Sequence, residues 1–542
     1  MSSQIQASRL LGALAMTSGL AMASPSLMPT PPMGFNNWAR FECDLNQTLF
    51  TTTADAMVKN GLLVAGYNRV NMDDCWMATK RAANGTLQWN TTKFPDGLPW
   101  LGDYLHDRGF HFGIYEDAGT STCGGFPGSL GYEDIDAETF FSWGIDYLKL
   151  DGCNVPTQSG LTSEETYKSI YGKWHTIFSN MSDPLIFSES APAYFCGEKN
   201  LTDWYTVMDW VPVYGELARH SYDIATYGSD GSTWDSILLN YGQEVLVARY
   251  QKPGYFNDPD FIIPDWPDLT IHEKHSQFAL WASFSAPLII SADVPRLTTE
   301  DLNYLTNSDI IDVDQDKLGL QATLVSQDGT RDVLTKTLSN GDRLLTVLNR
   351  GNSSSDFTID IPRLGITPKH NSTCALGIKD LWTGKYTNSS SSIVISDIPP
   401  HGTAILRIAR QSPGCGDIIP TGMIFNTASL NCLQVAPNGS VSAVVCNSDD
   451  GQVWHVQKDG SIRNIAAATQ CLTEKSNGVV SFGTCQTGDK SRNWTYHLNG
   501  NVINTASGQC LTELKGGSVG TTTCQHDANS QVFGLPSGVD VL

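Results

Sequence analysis

Tyr147-Leu148-Lys149-Leu150-Asp151-Gly152-Cys153 is the stretch whose reading decides the fold. It reads as a buried strand running into a turn, opened by Gly144 and Asp146 and closed by Gly152. Successive side chains of a strand point to opposite faces, so Lys149 and Asp151 share one face. A Lys and an Asp make poor core material, because neither charge buries cheaply. They suit the mouth of a barrel of parallel strands, where strand ends carry chemistry. On this stretch alone a structural ion pair is an equal reading. The flanking sequence decides between them.

Residues 31–314 alternate short strand-like runs with helical segments. Strands are predicted over 33–38, 67–72, 111–115, 147–150, 185–188, 213–217, 254–257 and 287–290, the sixth being the least defined. Helices are predicted over 45–60, 98–108, 135–143, 163–180, 234–249 and 272–284. Such alternation implies parallel strands joined by right-handed crossovers. Eight strands in about 280 residues is the size of a closed (β/α)8 barrel of the TIM type. An open doubly wound sheet would want a Gly-rich phosphate loop after its first strand, and Met33-Gly34-Phe35-Asn36-Asn37-Trp38 is not one.

Polar residues fall where a barrel needs them. Asp73 and Asp74 follow the second strand, Tyr115 and Asp117 close the third, and Lys149 and Asp151 close the fourth. Glu189 follows the fifth, Arg219 and Asp223 the sixth, and Asn257, Asp258 and Asp260 the seventh. One such pair is ordinary loop charge. Acidic groups at six consecutive strand ends are not. Trp38, Trp76 and Tyr115 lie among them. An aromatic face stacks on the C–H face of a sugar while carboxylates take its hydroxyls, although each aromatic taken singly would be core.

After 314 the helical period disappears. Alternating runs at 332–338, 343–349, 355–361 and 403–408, separated by Asn-Gly-type turns, predict an antiparallel β-sandwich over 315–410. A small-residue linker follows at 411–418. Over 419–542 the chain repeats itself. Cys432, Cys471 and Cys510 recur in steps of 39 residues, each within an x-Cys-Leu triplet and each with a second Cys fourteen positions on. Each repeat ends in Gln452-Val453-Trp454, Arg492-Asn493-Trp494 or Gln531-Val532-Phe533. Three such repeats, each with its own disulfide, predict a β-trefoil with Cys432–Cys446, Cys471–Cys485 and Cys510–Cys524 bonded.

Composition sets the compartment. Residues 1–23 read as a signal peptide: Arg9 precedes a short apolar run ending in Ala21-Met22-Ala23, leaving 24–314 as the barrel. The run is too short to span a bilayer, so a secreted, extracellular protein is expected. Sequons at Asn46, Asn84, Asn90, Asn180, Asn200, Asn352, Asn371, Asn388, Asn438 and Asn493 agree, and thirteen cysteines read as a disulfide population with at least one thiol left unpaired. The net charge of −22 argues against nucleic acid or an anionic membrane as partner. No His/Cys cluster has ligand spacing, so no metal or organic cofactor is implied.

Residues 31–410 resemble the α-galactosidases of glycoside hydrolase family 27, close to the fungal secreted members. The matching stretches are PPMGFNNWARFEC (31–43), NMDDCW (71–76), the run 113–153 that includes GIYEDAGTSTCGGFPG, ARHSYDI (218–224), NDPD (257–260) and LWASFSAPLIISADV (280–294). The C-terminal repeats resemble a ricin B-type trefoil. The first resemblance implies retaining double displacement with Asp151 as nucleophile and Asp223 as general acid/base. Asp223 must then be protonated near working pH, so its surroundings are expected to raise its pKa. The resemblance assigns Asp73, Asp74, Lys149, Glu189 and Arg219 to galactose hydroxyls, Trp38, Tyr115 and Cys123 to the walls, and Asp260 to the rim. It implies the disulfides Cys43–Cys75 and Cys123–Cys153, with Cys196, Cys374 and Cys415 unassigned.

Two departures bear on specificity. The loop Ser190-Ala191-Pro192-Ala193-Tyr194 does not follow the family's loop that reads the sugar 2-substituent. A carboxylate such as Glu189 there favours a free 2-hydroxyl. In the trefoil, the Asp usual two residues after the first Cys is Gln434, Thr473 or Thr512, so galactose binding and a purely structural appendage are alternatives. The expected activity is release of terminal α-galactose from oligosaccharides and polysaccharides. The alternatives are an α-N-acetylgalactosaminidase, a β-L-arabinopyranosidase, or a carbohydrate-binding protein with an inactive barrel.

Overall fold

The computed structural model of the chain describes residues 25–197, 201–369, 372–486 and 488–542. The expected signal peptide and the sequons Asn200 and Asn371 lie outside the described residues. Eight short strands form the first sheet: β1 (Met33–Asn36), β2 (Arg69–Met72), β3 (His111–Asp117), β4 (Tyr147–Asp151), β5 (Ile186–Glu189), β6 (Leu217–Arg219), β7 (Phe256–Asp258) and β8 (Leu288–Ile290). Neighbours pair in parallel in the order β7-β6-β5-β4-β3-β2-β1-β8. The chain past β7 closes the ring through a parallel bridge between Ile262 and Ile290, with Ile262 N–H on the Ile289 carbonyl at 2.8 Å. The result is a TIM-type barrel wrapped by helices such as Gln47–Lys59, Ser163–Ser179 and Ile271–Phe284.

The register places the chemistry. Tyr115 lies beside Lys149 and Asp117 beside Asp151, so the β3 and β4 ends present their polar groups at one level. Gly113 is required on β3, where a Cβ would meet Asn71 Oδ1 at 2.1 Å. Two predicted elements change. The run 213–217 is a helical turn, Val211–Tyr214, followed by a strand that starts only at Leu217. Pro212 supplies a helix-compatible φ and no N–H, and Gly215 then turns the chain into β6. The helix expected to reach 249 ends at Glu244, with a 3₁₀ turn at Ala248–Tyr250.

The sandwich has a six-stranded antiparallel sheet of β9 (Thr323–Gln327), β10 (Arg331–Thr337), β11 (Arg343–Asn349), β13 (Leu376–Asp380), β14 (Tyr386–Ser389) and β16 (Thr403–Arg410). A two-stranded sheet of β12 (Ser355–Asp360) and β15 (Ser392–Ile398) covers one face. Val333, Leu345, Val347, Ile359 and Ile393 fill the space between them. Leu334, Leu344, Leu348 and Ile405 on the other face join the barrel's own core. The stretch 411–418 is no free tether. Cys415 is bonded to Cys374, and Gly416 N–H reaches the Thr367 carbonyl.

In the trefoil, the Leu after each repeat Cys (Leu433, Leu472, Leu511) is buried together with Trp454, Trp494 and Phe533. The Trp454 and Trp494 indoles donate to the Leu433 and Leu472 carbonyls. Each repeat carries its own disulfide: Cys432–Cys446, Cys471–Cys485 and Cys510–Cys524. No described helix is long and apolar enough to cross a membrane.

Candidate active site

A cavity of about 280 Å³ opens at the C-terminal ends of the barrel strands. Trp38, Asp73, Asp74, Tyr115, Cys123, Lys149, Asp151, Arg219 and Asp223 line it, from the ends of β1, β2, β3, β4 and β6 or the loops beyond them. Their placement is built in layers. Asn36, at the end of β1, spends its carbonyl on Trp38 N–H at 2.7 Å and its amide on Asp73 Oδ2 at 2.8 Å. Asp73 also takes Lys149 Nζ at 2.8 Å. Asp74 accepts Cys75 N–H at 2.6 Å and Gly124 N–H at 2.7 Å, which ties it to the loop carrying Cys123. Cys43–Cys75 and Cys123–Cys153 pin the loops around the pocket. Gly119 lets two of those loops touch, since a Cβ there would meet the Asn154 backbone at 2.2 Å.

The charges compensate one another. Burial alone would lower the Lys149 ammonium, but Asp73 and Asp151 hold it well above its ordinary range. Burial raises Asp74. It also lifts Asp117, beside the Asp151 charge, from 3.8 to about 7. Arg219 lies between two carboxylates, 2.9 Å from Asp223 and 3.0 Å from Asp260. The Arg219 guanidinium and Lys149 hold Asp223 below the ordinary range, opposite to the expectation from its role. The raised partner is Asp260, which burial and the Asp223 charge push to about 6.

Two expectations are corrected, for Glu189 and Asp260, and the open reading of Trp76 is decided for the core. Glu189 does not line the cavity. Lys149 pairs with Ser188 in the sheet, so Ser188 and Ser190 share the inward face and Glu189 points out. Its carboxylate is fully buried close to Gly215, with neither oxygen hydrogen-bonded among the described residues, and burial followed by the Glu216 charge raises its pKa strongly. Asp260 is not at a rim. It is 2% exposed, sits at φ 80°, and takes Ile224 and Phe261 N–H besides Arg219. Trp76 is fully buried, edge-on to Trp143 at 5.7 Å, and is core.

Ser190, Ala193 and Tyr194, from the loop singled out after Glu189 but given no individual roles, line the cavity together with Ser221 and Tyr222, which were not anticipated. Strand parity from Lys149 would have found Ser190. The others sit on turns without a periodic signal. Cys196 is a buried free thiol behind this loop. As for metals, the Asp117, Asp151, Cys123 and Cys153 group has its sulfurs in a disulfide. In the Asp209, His526 and Asp527 group the imidazole already bridges both carboxylates.

Carboxylates, a lysine and an arginine converging on a sugar-sized cavity at the mouth of a (β/α)8 barrel define a glycosidase. The chain belongs to the α-galactosidase family. Residues 30–316 match the family described as alpha galactosidase A, 328–408 its C-terminal beta sandwich domain, and 420–533 the ricin-type beta-trefoil lectin domain. The chain is similar to alpha-galactosidase A of Aspergillus niger, with 57% identity over 96% of this chain and 94% of that one. Alpha-galactosidase 2 of Arabidopsis thaliana is 33% identical over 73% of this chain and 92% of its own. Among solved structures, alpha-galactosidase I of Mortierella vinacea superposes with a TM-score of 0.63 at 28% identity, covering 72% of this chain and 99% of that one.

Proposed function

We propose that the chain is a secreted, retaining exo-α-galactosidase that removes terminal α-linked galactose from oligosaccharides and polysaccharides. The observation that carries this is the shared cavity wall. Asp151 and Asp223 face one space at the low end of ligand-pocket size, which suits a single sugar ring. Asp151 attacks the anomeric carbon. The bond to the leaving oxygen breaks, and that oxygen takes the Asp223 proton. Water then attacks the anomeric carbon and gives its proton to Asp223, and the Asp151 carboxylate leaves with its electron pair. Asp73, Asp74, Lys149 and Arg219 supply acceptors and donors for galactose hydroxyls, with Trp38, Tyr115 and Cys123 as walls. Arg219 stabilises Asp223 once it has given up its proton. Six disulfides among the described residues suit an oxidising compartment. The barrel is taken to span 24–314, the sandwich 315–410 and the trefoil 419–542.

A second reading is favoured by one observation. The 2-substituent loop presents Ser190 and Ala193 to the cavity, both small, while Glu189 faces away. Glu189 therefore places no demand for a free 2-hydroxyl, and a 2-acetamido group finds room beside Ser190 and Ala193. Turnover of p-nitrophenyl α-galactoside against its 2-acetamido analogue tests both readings. A kcat/KM favouring the galactoside is expected. A preference for the analogue would transfer the assignment to N-acetylgalactosamine. Asp151→Asn should abolish both activities, and sustained turnover would refute the nucleophile.

A further inference from the structure

Asp151 presents two unlike oxygens. Both hydrogen bonds its carboxylate accepts among the described residues fall on Oδ1: Gly152 N–H at 2.9 Å and the Tyr194 hydroxyl, the latter very short. Oδ2 accepts none among the described residues. Tyr194 comes from the 3₁₀ turn Ala191–Tyr194 after β5, and its ring packs 5.6 Å from that of Tyr167. Tyr167 in turn donates to the Gly152 carbonyl at 2.7 Å, and Tyr171 to the Leu150 and Asp151 carbonyls at 3.0 and 3.1 Å. Gly152 is what lets both rings close on the strand end. A Cβ there would lie 2.7 Å from Tyr167 and 3.2 Å from Tyr194. The helix Ser163–Ser179 thus fixes the backbone of β4, and Tyr194 fixes the carboxylate.

We propose that Tyr194 is a positioning residue that reserves Asp151 Oδ2 for attack and speeds the second half of the reaction. This rests on Asp151 being the nucleophile. In the first step Oδ2 bonds to the anomeric carbon as the bond to the leaving oxygen breaks and that oxygen takes the Asp223 proton, and Oδ1 becomes the carbonyl oxygen of the glycosyl ester. In the second step water bonds to that carbon and gives its proton to Asp223, the carbon–Oδ2 bond breaks, and its electron pair returns to the carboxylate. A donor on Oδ1 stabilises that returning charge and makes Asp151 a better leaving group. The same donor stabilises the free carboxylate, so it offers the first step nothing. The hydroxyl keeps its proton throughout, since burial and then the Asp151 charge push its pKa far above the ordinary tyrosine value.

The test is Tyr194→Phe with p-nitrophenyl α-galactoside. Loss of a charge-assisted hydrogen bond should slow the ester's hydrolysis roughly 10- to 100-fold. Expected are a fall in kcat of that size, a parallel fall in KM, a nearly unchanged kcat/KM, and a burst of phenol. Acid quenching should trap a galactosyl adduct on the Asp151 peptide at higher occupancy than in the wild type. A merely structural role would lower kcat/KM and the melting temperature with no burst or adduct, and would overturn the proposal. Tyr194→Met answers the same question should the Phe variant melt early. Tyr167→Phe, which loses only a backbone contact, should show no accumulation. An adduct on another residue would overturn the nucleophile assignment itself, whereas an adduct on Asp151 at wild-type occupancy overturns only the part given to Tyr194.

Discussion

Arg219 serves two carboxylates at once, and this sets how the site holds its proton. Asp223, the proposed acid, has to deliver a proton, yet Arg219 keeps it anionic, and the proton rests on buried Asp260 until about pH 6. Two carboxyls across one guanidinium titrate as a pair, so the proton belongs to both. Below about pH 6 the pair retains one proton that a bound sugar can draw onto Asp223. The free-enzyme profile, kcat/KM, is therefore expected to fall as pH rises through about 6. Asp260→Asn removes the competing charge and leaves Arg219 wholly to Asp223. The alkaline limb should then move to lower pH, with activity at neutral pH down about tenfold. Asn tolerates the left-handed φ of 80° at this position, so the fold should hold. A limb that stays where it was would remove Asp260 from the proton's path. At this scale the sequence was informative about residue type and less so about direction. Lys149 and Asp151 were legible because they share a strand face. Glu189 was misplaced because a carboxylate at a strand end looks functional until its parity is counted from Lys149.

The ends of β3 and β4 form one electrostatic element. Their register puts Asp117 beside Asp151, and Asp117 spends its oxygens on Gly119 and Cys153 N–H at 2.7 and 2.8 Å. Its pKa of about 7 has a consequence for stability. The unfolded chain releases this proton near 3.8 and the folded protein near 7, so between those values the folded state binds more protons. Stability is then greatest below about pH 4 and is lost as pH rises towards 7, by at most about 1.4 kcal/mol per pH unit for one group. Melting temperatures across that window should fall with pH. Asp117→Asn should start lower, because its amide cannot accept from Cys153, and should show a flatter slope. Parallel slopes in the two proteins would show that Asp117 does not titrate there. Most barrel elements were legible because apolar runs of four or five residues alternate with amphipathic ones. The sixth strand was not, because Trp210-Val211-Pro212-Val213-Tyr214 has β-type residues in a turn that Pro212 starts as a helix.

The three parts of the molecule are packed into one body, and that changes what the trefoil is for. Its 39-residue repeat was plain in the sequence, whereas its docking was not, because the contacts come from single residues with no pattern. Tyr205 on the barrel donates to Thr427 of the trefoil at 2.7 Å, and buried Arg249 donates to the Leu498 carbonyl at 2.8 Å. His526 of the trefoil bridges Asp209 at 3.1 Å and Asp527 at 2.5 Å, and Val532 joins the barrel core. The supported helix, Thr202–Met208, carries Trp204, whose indole donates to the His220 carbonyl beside Arg219. All residues assigned to the chemistry precede Ile262, so from sequence alone a chain ending near Gln411 should work unaided. The docking makes the outcome two-sided. Removing the trefoil takes Thr427 from buried Tyr205 and leaves the Arg249 guanidinium without its Leu498 partner, which is costly for a charged group. The truncated chain is expected to melt on the order of 5–10 °C lower than the full chain. Its folded fraction should hydrolyse p-nitrophenyl α-galactoside within about threefold of the full-length kcat/KM, since that change is under 1 kcal/mol at the transition state. Arg249→Met in the full chain should lose part of the same margin while keeping the trefoil, which separates loss of docking from loss of the domain. A truncation that melts with the full chain would make the interface a passive contact. One that stays folded but loses activity on the small substrate would show that the trefoil holds the β6 end, and with it Arg219 and Asp223, in working position.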